Sequence, residues 1–209
     1  MESVKSRRQE YAEQTRAALI AAAGQAFAEH GFTATSITQI AEAARVTKGA
    51  VYHHFLDKQN LFEAVMNQCN ETAQQRVYEA IAKHPGDVWE AAMAALEATL
   101  DVCADPVAGR IIYVEGPVGL GWRRWCESER QYTHRNVRRL LLSGIEAGIY
   151  RNDIPVDAMT QVMAGMITHA GISLAEVSSR RRKAVRRDLH TAIHQVMLGL
   201  RPRVIHSTA

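Results

Sequence analysis

The chain has 209 residues, 47% of them hydrophobic, so it can bury a sizeable core as one large domain or two small ones. Only five prolines and thirteen glycines, beside abundant Ala, Leu, Glu, Gln and Arg, favour an almost wholly helical protein. The formal net charge of +3 suits an anionic partner, but residues 1–60 hold seven Lys and Arg against six Asp and Glu. Bulk charge therefore does not by itself indicate DNA binding.

The apolar runs and the cysteines indicate in which cellular compartment the protein is expected. No uninterrupted apolar stretch approaches the ~20 residues of a membrane span, and no apolar segment follows Met1, so we expect a cytoplasmic protein with no membrane partner. Cys69, Cys103 and Cys126 are widely spaced and form neither a metal-ligand pattern nor a disulfide framework. Each is expected to be a small buried apolar residue.

The first elements in chain order are a polar arm and a helix. Residues 1–11 are basic and polar, and we interpret them as a disordered arm, either a frayed terminus or a segment that adds phosphate or minor-groove contacts. A first helix is predicted from about Ala12 to His30, and Gly31 is well placed to stop it.

Residues 36–58 predict two short helices joined by a tight turn. Ser36 can cap the first helix and Thr47 the second, with a short break at Arg45-Val46 between them. Helical spacing gives the first helix one apolar face, formed by Ile37, Ile40, Ala41 and Ala44. In the second helix, Val51 and Phe55 form an inward pair, so the other side chains of that helix face away from the core. This is the arrangement of a helix-turn-helix, at about residues 35–54, whose second helix enters the DNA major groove.

The same region resembles the DNA-binding domain of the TetR family of bacterial transcription regulators. The resemblance covers about Thr15 to Val65 and ends in the specific pattern Tyr-x-His-Phe-x-x-Lys-x-x-Leu. The matching residues are Gly31-Phe32, Thr35-Ser36-Ile37, Ile40-Ala41, Ala44, Val46-Thr47, Gly49, Val51-Tyr52, His54-Phe55, Lys58 and Leu61. The chain departs from the family at Arg45, where Gly is usual. A positive φ there would cost a non-glycine residue about 1 kcal/mol.

The resemblance also implies which residues meet operator DNA. Thr47 and Lys48 lie where helix amides and the helix dipole favour a phosphate, and the small Gly49 permits close approach. Lys58 lies in the first turn of the next helix, where the helix dipole disfavours a positive charge, and a nearby anion would explain its position. His54 and Tyr52 have packing as an alternative role. The full set is Ser36, Thr38, Thr47, Lys48, Gly49, Tyr52, His53, His54 and Lys58.

Six further helical stretches follow, for about nine helices in all. Asp57 and Asp87 are predicted N-caps, Pro106 is predicted to open a helix after Asp105, and the glycines of residues 116–121 are interpreted as a bend. The predicted spans are Asp57 to Lys83, Asp87 to Cys103, Pro106 to Tyr113, Trp122 to Ala147, Asp157 to Glu176 and Arg181 to Leu200, with the last starting nearer Ala184 because of its basic first turn.

The last two stretches carry more apolar surface than one helical pair needs. In the resembling family these helices pair with their copies, which implies a homodimer. The alternative is that they only close the core of the monomer. The adjoining basic run, Arg180-Arg181-Arg182-Lys183 with Arg186 and Arg187, is interpreted as a solvated face and not as a nucleic-acid site.

The resemblance also implies an effector site among the C-terminal helices, for an unknown and largely apolar small molecule. Glu115 or His134 could orient such a ligand, and plain core packing is the alternative for each lining residue. The candidate lining residues are Trp89, Met93, Tyr113, Trp122, Trp125, Tyr132 and His169.

These patterns predict an all-α protein with a helix-turn-helix DNA-binding domain at residues 12–72 and an effector-binding and dimerisation domain at 73–209. The function expected is a ligand-released repressor that binds a palindromic operator as a homodimer. A non-specific DNA-packaging protein is one alternative. A metal-dependent enzyme using His190 and His194 is another, but these lack a third ligand and the Glu of the zinc-protease pattern. We therefore expect no enzyme, metal or cofactor.

Overall fold

The computed structural model describes residues 7–202, and in that range the chain forms nine continuous helices and no strand. The predicted all-α class is confirmed. The first four helices are α1 (Arg7–Ala34), α2 (Ile37–Ala43), α3 (Lys48–His54) and α4 (Lys58–Ala82). Next come α5 (Val88–Ala104), α6 (Ala108–Arg110, π-helical Ile111–Glu115 and Gly116–Gly119) and α7 (Trp122–Glu129, π-helical Arg130–His134 and Arg135–Glu146). The last are α8 (Val156–Glu176) and α9 (Ser179–Leu198).

The start of α1 corrects the predicted arm. The helix already begins at Arg7, five residues before the predicted start at Ala12, and residues 1–6 of the predicted arm lie outside the described residues. Gly31 does interrupt the helix, with φ 81° and ψ 161°, but helical backbone resumes as far as Ala34. The glycine therefore makes a kink where a stop was expected.

Side-chain caps start several helices where the sequence predicts them. Asp57 accepts from the amide of Asn60 at 2.7 Å, and Asp87 from that of Glu90 at 3.0 Å. Asp105 accepts from the amides of Val107 and Ala108, both at 2.9 Å. Each carboxylate satisfies amides that have no partner inside their own helix.

Two further predicted boundaries are wrong. The segment expected to bend as a whole at residues 116–121 is helical through Gly119, and the chain turns only at Gly121, with φ 81°. Helix α9 begins at Ser179 and not near Ala184. Its basic first turn is tolerated there because the guanidinium of Arg182 donates to the carbonyl oxygen of Val177 at 3.2 Å, which anchors it to the preceding loop.

The helices enclose two apolar cores that meet at α4 and α6. The N-terminal core lies among α1 to α4 and is centred on Phe27 and Phe62, whose ring centroids are 5.2 Å apart. Ile111 of α6 and Trp125 of α7 also belong to it. The C-terminal core lies among α5 to α9. The predicted boundary between residues 72 and 73 falls inside α4, so this helix is shared by both parts. No helix of residues 7–202 has the length and apolarity to cross a membrane.

Candidate nucleic-acid interface and internal cavity

The two helices of the predicted helix-turn-helix start at side-chain caps. Ser36 and Gln39 form a capping box: the Ser36 hydroxyl accepts from the Gln39 amide at 3.2 Å, and the Gln39 side chain accepts from the Ser36 amide at 2.8 Å. At the start of α3, the Thr47 hydroxyl accepts from the amide of Ala50 at 3.2 Å. These bonds fix where α2 and α3 begin, and so which side chains α3 presents.

The turn between α2 and α3 is a Schellman motif with Arg45 in the left-handed position, at φ 56°. The amide of Arg45 donates to the Glu42 carbonyl at 3.0 Å, and that of Val46 donates to the Ala41 carbonyl at 2.9 Å. Arg45 thus adopts the positive φ that glycine adopts at lower cost. The turn therefore keeps the Schellman geometry, and the backbone of Arg45 is strained.

Helix α3 buries its predicted inward pair and leaves a polar face outside. Val51 and Phe55 are 0% and 3% exposed, which confirms that pair. The Lys48 ammonium lies 6.0 Å from the ring centroid of Tyr52, which is itself half exposed. The predicted contact residues that are exposed are Ser36 and Thr38 at the start of α2, and Thr47, Lys48, Gly49, Tyr52 and His53 at the start and along α3.

His54 lies at the edge of this face and is partly buried. Burial is the main cause that lowers the pKa of its imidazole, and the nearby His53 and Arg16 lower it further. The Arg16 guanidinium lies 5.1 Å from the ring centroid of Phe55. Exposed Arg16 therefore adds a cation beside α3. No motif in the sequence pointed to it, because it lies in α1, some thirty residues before α3.

Lys58 has a structural role that the sequence did not predict. Its ammonium donates to the carbonyl oxygens of Phe32, Thr33 and Thr35 at 2.9, 3.3 and 3.0 Å, and lies 4.5 Å from the Phe32 ring centroid. These oxygens terminate α1 and supply the negative end that an anion was expected to supply. All three ammonium donors are thereby used within the protein, so Lys58 is not among the residues that we propose to contact DNA.

Glu115 does not face a ligand, as the sequence suggested it could. It is 7% exposed, and its carboxylate accepts from the Phe32 amide at 2.8 Å and from the Arg110 guanidinium at 3.2 Å. It therefore ties α6 to the kink of α1. His134, the other suggested ligand-orienting residue, does not line the cavity; burial and, secondarily, Arg130 lower its pKa.

A cavity of about 110 Å³ opens inside the C-terminal core. Among the described residues, its walls contain no Asp, Glu, Lys, Arg or His. The polar residues of the wall are Asn70, Gln74, Thr99, Tyr113, Tyr132, Thr133, Asn136 and Tyr150, and apolar residues such as Ala92, Leu96, Leu141, Ile167 and Met197 form the rest. Burial raises the pKa of Tyr150 to about 12 and that of Tyr113 well above its usual value, so both phenols stay neutral.

Only Tyr113 and Tyr132 of the predicted effector residues line this cavity. Trp125 is buried in the N-terminal core, where its indole donates to the Ile112 carbonyl at 2.8 Å. Trp122 and His169 are exposed, and Trp89 and Met93 line an open groove on the outside of α5. Aromatic character was a poor guide because these large rings also fill cores and cover surfaces.

Asn70 is the cavity residue that the sequence could have indicated. It is 5% exposed and lies on the buried side of α4, at helical spacing from the apolar Met66 and Val77. A buried amide on such a face needs hydrogen-bond partners. Its nitrogen donates to the Ser128 hydroxyl at 3.1 Å.

The histidine pair and the basic run have protein partners. His190 Nε2 lies 3.1 Å from the Glu97 carboxylate, and the described residues contain no group of three or more side chains placed to hold a metal. Arg186 bridges α9 to α5, at 2.6 Å from Glu97 and 2.7 Å from Asp101. Arg186 therefore forms ion pairs within the protein that join two helices, whereas Arg181 is exposed as expected.

An exposed recognition helix on an N-terminal helical unit, joined to a larger helical unit that contains a cavity, defines a helix-turn-helix transcription regulator. Residues 19–65 match the family model for bacterial regulatory proteins of the tetR family. Residues 89–200, more than half of the chain, match the model for the tetracyclin repressor-like C-terminal domain. The chain belongs to the TetR family of DNA-binding transcriptional regulators, whose members are not enzymes.

Curated relatives match about a third of this chain by sequence. The chain is 38% identical over 76 residues to the HTH-type transcriptional regulator AcrR of Shigella flexneri, covering 36% of this chain and 35% of AcrR. It is 44% identical over 66 residues to TtgR of Pseudomonas putida, covering 32% of this chain and 31% of TtgR. The chain thus matches only about a third of the length of these curated relatives.

Solved structures resemble the whole chain. A TetR-family transcriptional regulator from Pectobacterium atrosepticum superposes with a TM-score of 0.76 at 28% identity, covering 95% of this chain and 99% of that one. The fatty acid degradation regulator FadR from Bacillus halodurans has a TM-score of 0.71 at 22% identity, covering 90% and 97%, and shows the shared fold alone.

Proposed function

We propose that this regulator is a repressor that binds a roughly palindromic operator as a homodimer and leaves it when a small molecule occupies the internal cavity. The observation that carries the proposal is the division of α3: Val51 is fully buried, whereas Thr47, Lys48, Tyr52 and His53 are exposed together. A helix docked in this way can lay its free face in the major groove. The proposed contact set is these four residues with Ser36, Thr38 and Gly49, and with His54 and Arg16 at its edge.

Dimerisation through α8 and α9 is the second part of the proposal. Val162 of α8 and Val196 of α9 are 58% and 41% exposed, so the single chain leaves both apolar side chains largely uncovered. A second copy would cover these side chains, and a two-fold axis there would place two recognition helices on successive major grooves. We expect Val162→Asp with Val196→Asp to give a folded monomer by sedimentation velocity. A dimer of unchanged stability would refute this interface.

Release by a ligand requires a mechanical route from the cavity to α3, and two helices supply one. Helix α4 carries Asn70 in the cavity wall and Lys58 at its other end, against the last turn of α1. Helix α6 carries Ile112 and Tyr113 in the wall and Glu115 on Phe32. A ligand that binds one arrangement of these helices more tightly would shift the separation of the two recognition helices and weaken DNA binding by that difference in affinity.

Selection of bound sequences from random DNA tests the proposal. The proposed function predicts an enriched motif of two inverted half-sites about one helical turn, or a multiple of it, apart. The absence of any enriched motif would favour sequence-independent binding, and a single unrepeated half-site would contradict the dimer.

A further inference from the structure

The charge of the cavity wall restricts what can bind in it. None of the described lining residues is an Asp, Glu, Lys, Arg or His, and burial raises the pKa of the Tyr113 and Tyr150 phenols, which keeps these two neutral. An ion that enters such a site loses its hydration without gaining a counter-ion, and the effective penalty is several kcal/mol per charge. An uncharged ligand loses far less.

The polar groups of the wall are unevenly distributed. Five of them lie on two facing helices, with Asn70 and Gln74 on α4 and Tyr132, Thr133 and Asn136 on α7. Most are only partly buried, so this side forms the mouth of the cavity. The far side is largely apolar, with Leu96, Ile167, Ile193 and Met197 in the wall.

Two of these mouth residues have hydrogen-bonding capacity to spare. The side chains of Tyr132 and Asn136 make no hydrogen bond to any other residue of the described chain, although both line the cavity. Asn70 uses its nitrogen on Ser128 and keeps its oxygen available. Such unpaired groups beside an apolar chamber suit a ligand with a single hydrogen-bonding end.

We propose that the cavity binds an uncharged molecule with an apolar body of about one ring, held inside the C-terminal core, and a hydrogen-bonding group that meets Asn70, Tyr132 and Asn136 at the mouth. The proposal rests on the proposed function only in calling this molecule the effector. The volume of about 110 Å³ is somewhat smaller than the ~150 Å³ apolar cavity that binds benzene. The apolar body can therefore be no larger than one ring, and the polar end would extend into the mouth.

A cationic ligand is the competing possibility, because one carboxyl lies just behind the wall. The Thr133 hydroxyl donates to Glu129 Oε1 at 3.5 Å, and the Thr168 hydroxyl donates to its Oε2 at 2.9 Å. Burial raises the pKa of Glu129, although both hydroxyls act in the opposite direction. Burial therefore makes the charged form of this carboxyl less favourable than it is in water, and Thr133 separates the carboxyl from the chamber.

Three probes of matched size separate these possibilities: benzyl alcohol, benzoate and benzylammonium, titrated calorimetrically into the full chain at neutral pH. We expect benzyl alcohol to bind with one site per chain, and the two ions to bind at least about tenfold more weakly. Tighter binding of benzylammonium would overturn the proposal in favour of a cation site at Glu129. Failure of all three at millimolar concentration would overturn it too.

A substitution that keeps the shape of the wall tests where the polar end lies. Asn136→Asp adds one negative charge at the mouth, and we expect it to strengthen benzylammonium binding by about tenfold and weaken that of benzyl alcohol. The matched control is Asn152→Asp in an exposed turn outside the cavity, which should change neither affinity. If Asn136→Asp behaves like this control, the polar end does not meet α7.

The outcome for the ligand class is distinguishable from the outcome for repression. If benzyl alcohol binds the cavity but leaves the protein–operator complex intact, the proposed ligand class is supported. The proposal that a ligand of this kind releases DNA is then refuted. If no selective DNA binding is found, the proposed function fails whatever the three probes do.

Discussion

Glu115 accepts a hydrogen bond of 2.8 Å from the amide of Phe32, 83 residues away in the chain. The amide is available because Gly31, with φ 81°, kinks α1 immediately before it. A Cβ at Gly31 would lie 3.3 Å from the Glu115 carboxylate, so only a residue without a side chain leaves this approach unhindered. This contact joins α6, which lines the cavity, to the last turn of α1 beneath the helix-turn-helix.

We expect Glu115→Ala to lower the free energy of unfolding by about 1–3 kcal/mol, because it leaves the Phe32 amide and the Arg110 guanidinium without their acceptor. Urea unfolding followed by circular dichroism measures the change. Glu115→Gln keeps one acceptor oxygen and should lose less. The control is Glu127→Ala, at an exposed position of α7, where a change within about 0.5 kcal/mol in unfolding free energy is expected. Equal losses of unfolding free energy for Glu115→Ala and Glu127→Ala would show that the Glu115–Phe32 contact does not stabilise the fold.

This contact shows why local patterns predicted the helices but not their junction. The caps at Ser36, Thr47 and Asp57 involve residues three positions apart, so the sequence displays both partners together. Glu115 and Phe32 meet only after two helical units have packed. The structural role of Lys58 was missed for the same reason, since the carbonyls that hold it belong to residues 23 to 26 positions earlier.

Arg45 offers a test of backbone strain. We predict that Arg45→Gly raises the free energy of unfolding by about 0.5–1 kcal/mol, because glycine adopts the positive φ without the steric cost, and this gain exceeds its larger loss of chain entropy. Arg45→Lys keeps both the charge and the strain and should unfold at the same urea concentration as the parent. A destabilised Arg45→Gly would show that the arginine side chain contributes more than its backbone costs.

Glu129 predicts a dependence of stability on pH. Its pKa is raised in the folded protein by burial, above its usual value of 4.5, so the folded state binds the proton more tightly than the unfolded chain does. Stability from this group is present below the unfolded pKa and is lost as pH rises through the folded pKa, at about 1.4 kcal/mol per pKa unit of difference. Glu129→Gln should therefore gain stability relative to the parent as pH rises above about 5.

The control for this pH series is Glu127→Gln, two residues away on the exposed side of the same helix. Its difference from the parent should stay flat across the same pH range. If the Glu129→Gln difference is also flat, burial does not raise the pKa of Glu129.

The basic run at the start of α9 should not affect DNA binding. We expect Arg181→Ala with Arg182→Ala to leave operator affinity within about twofold, because these residues lie on α9 in the C-terminal part and not beside α3. Fluorescence anisotropy with a labelled operator measures this. A loss of tenfold or more would show that the run contacts DNA after all.

The cavity was the hardest feature to predict, and its chemistry explains why. A cavity is defined by space that side chains leave empty, which no single residue reports. The tryptophans that the sequence favoured fill volume instead: Trp125 packs in the N-terminal core, and Trp122 lies on the surface. The residues that give the wall its character are small or uncharged, such as Ala92 and Asn136, and they carry no motif.

Lys48 is the predicted contact that a salt series isolates most clearly. It is exposed and forms no ion pair among the described residues, so Lys48→Ala should leave the fold intact. If its ammonium meets a phosphate, the slope of log K against log salt should fall by about one per monomer. Lys83→Ala, exposed at the far end of α4, is the matched control and should leave the slope unchanged.

The ratio of specific to non-specific DNA affinity distinguishes a sequence-reading regulator from a protein that only coats DNA. It is measured at one fixed salt concentration with the selected operator and a scrambled duplex of equal length. A sequence-reading regulator should bind its operator at least ~10³-fold more tightly, and Lys48→Ala should weaken both complexes by similar factors. A ratio near one, with both duplexes bound equally well, would refute the proposed repressor and indicate a protein that binds DNA regardless of sequence.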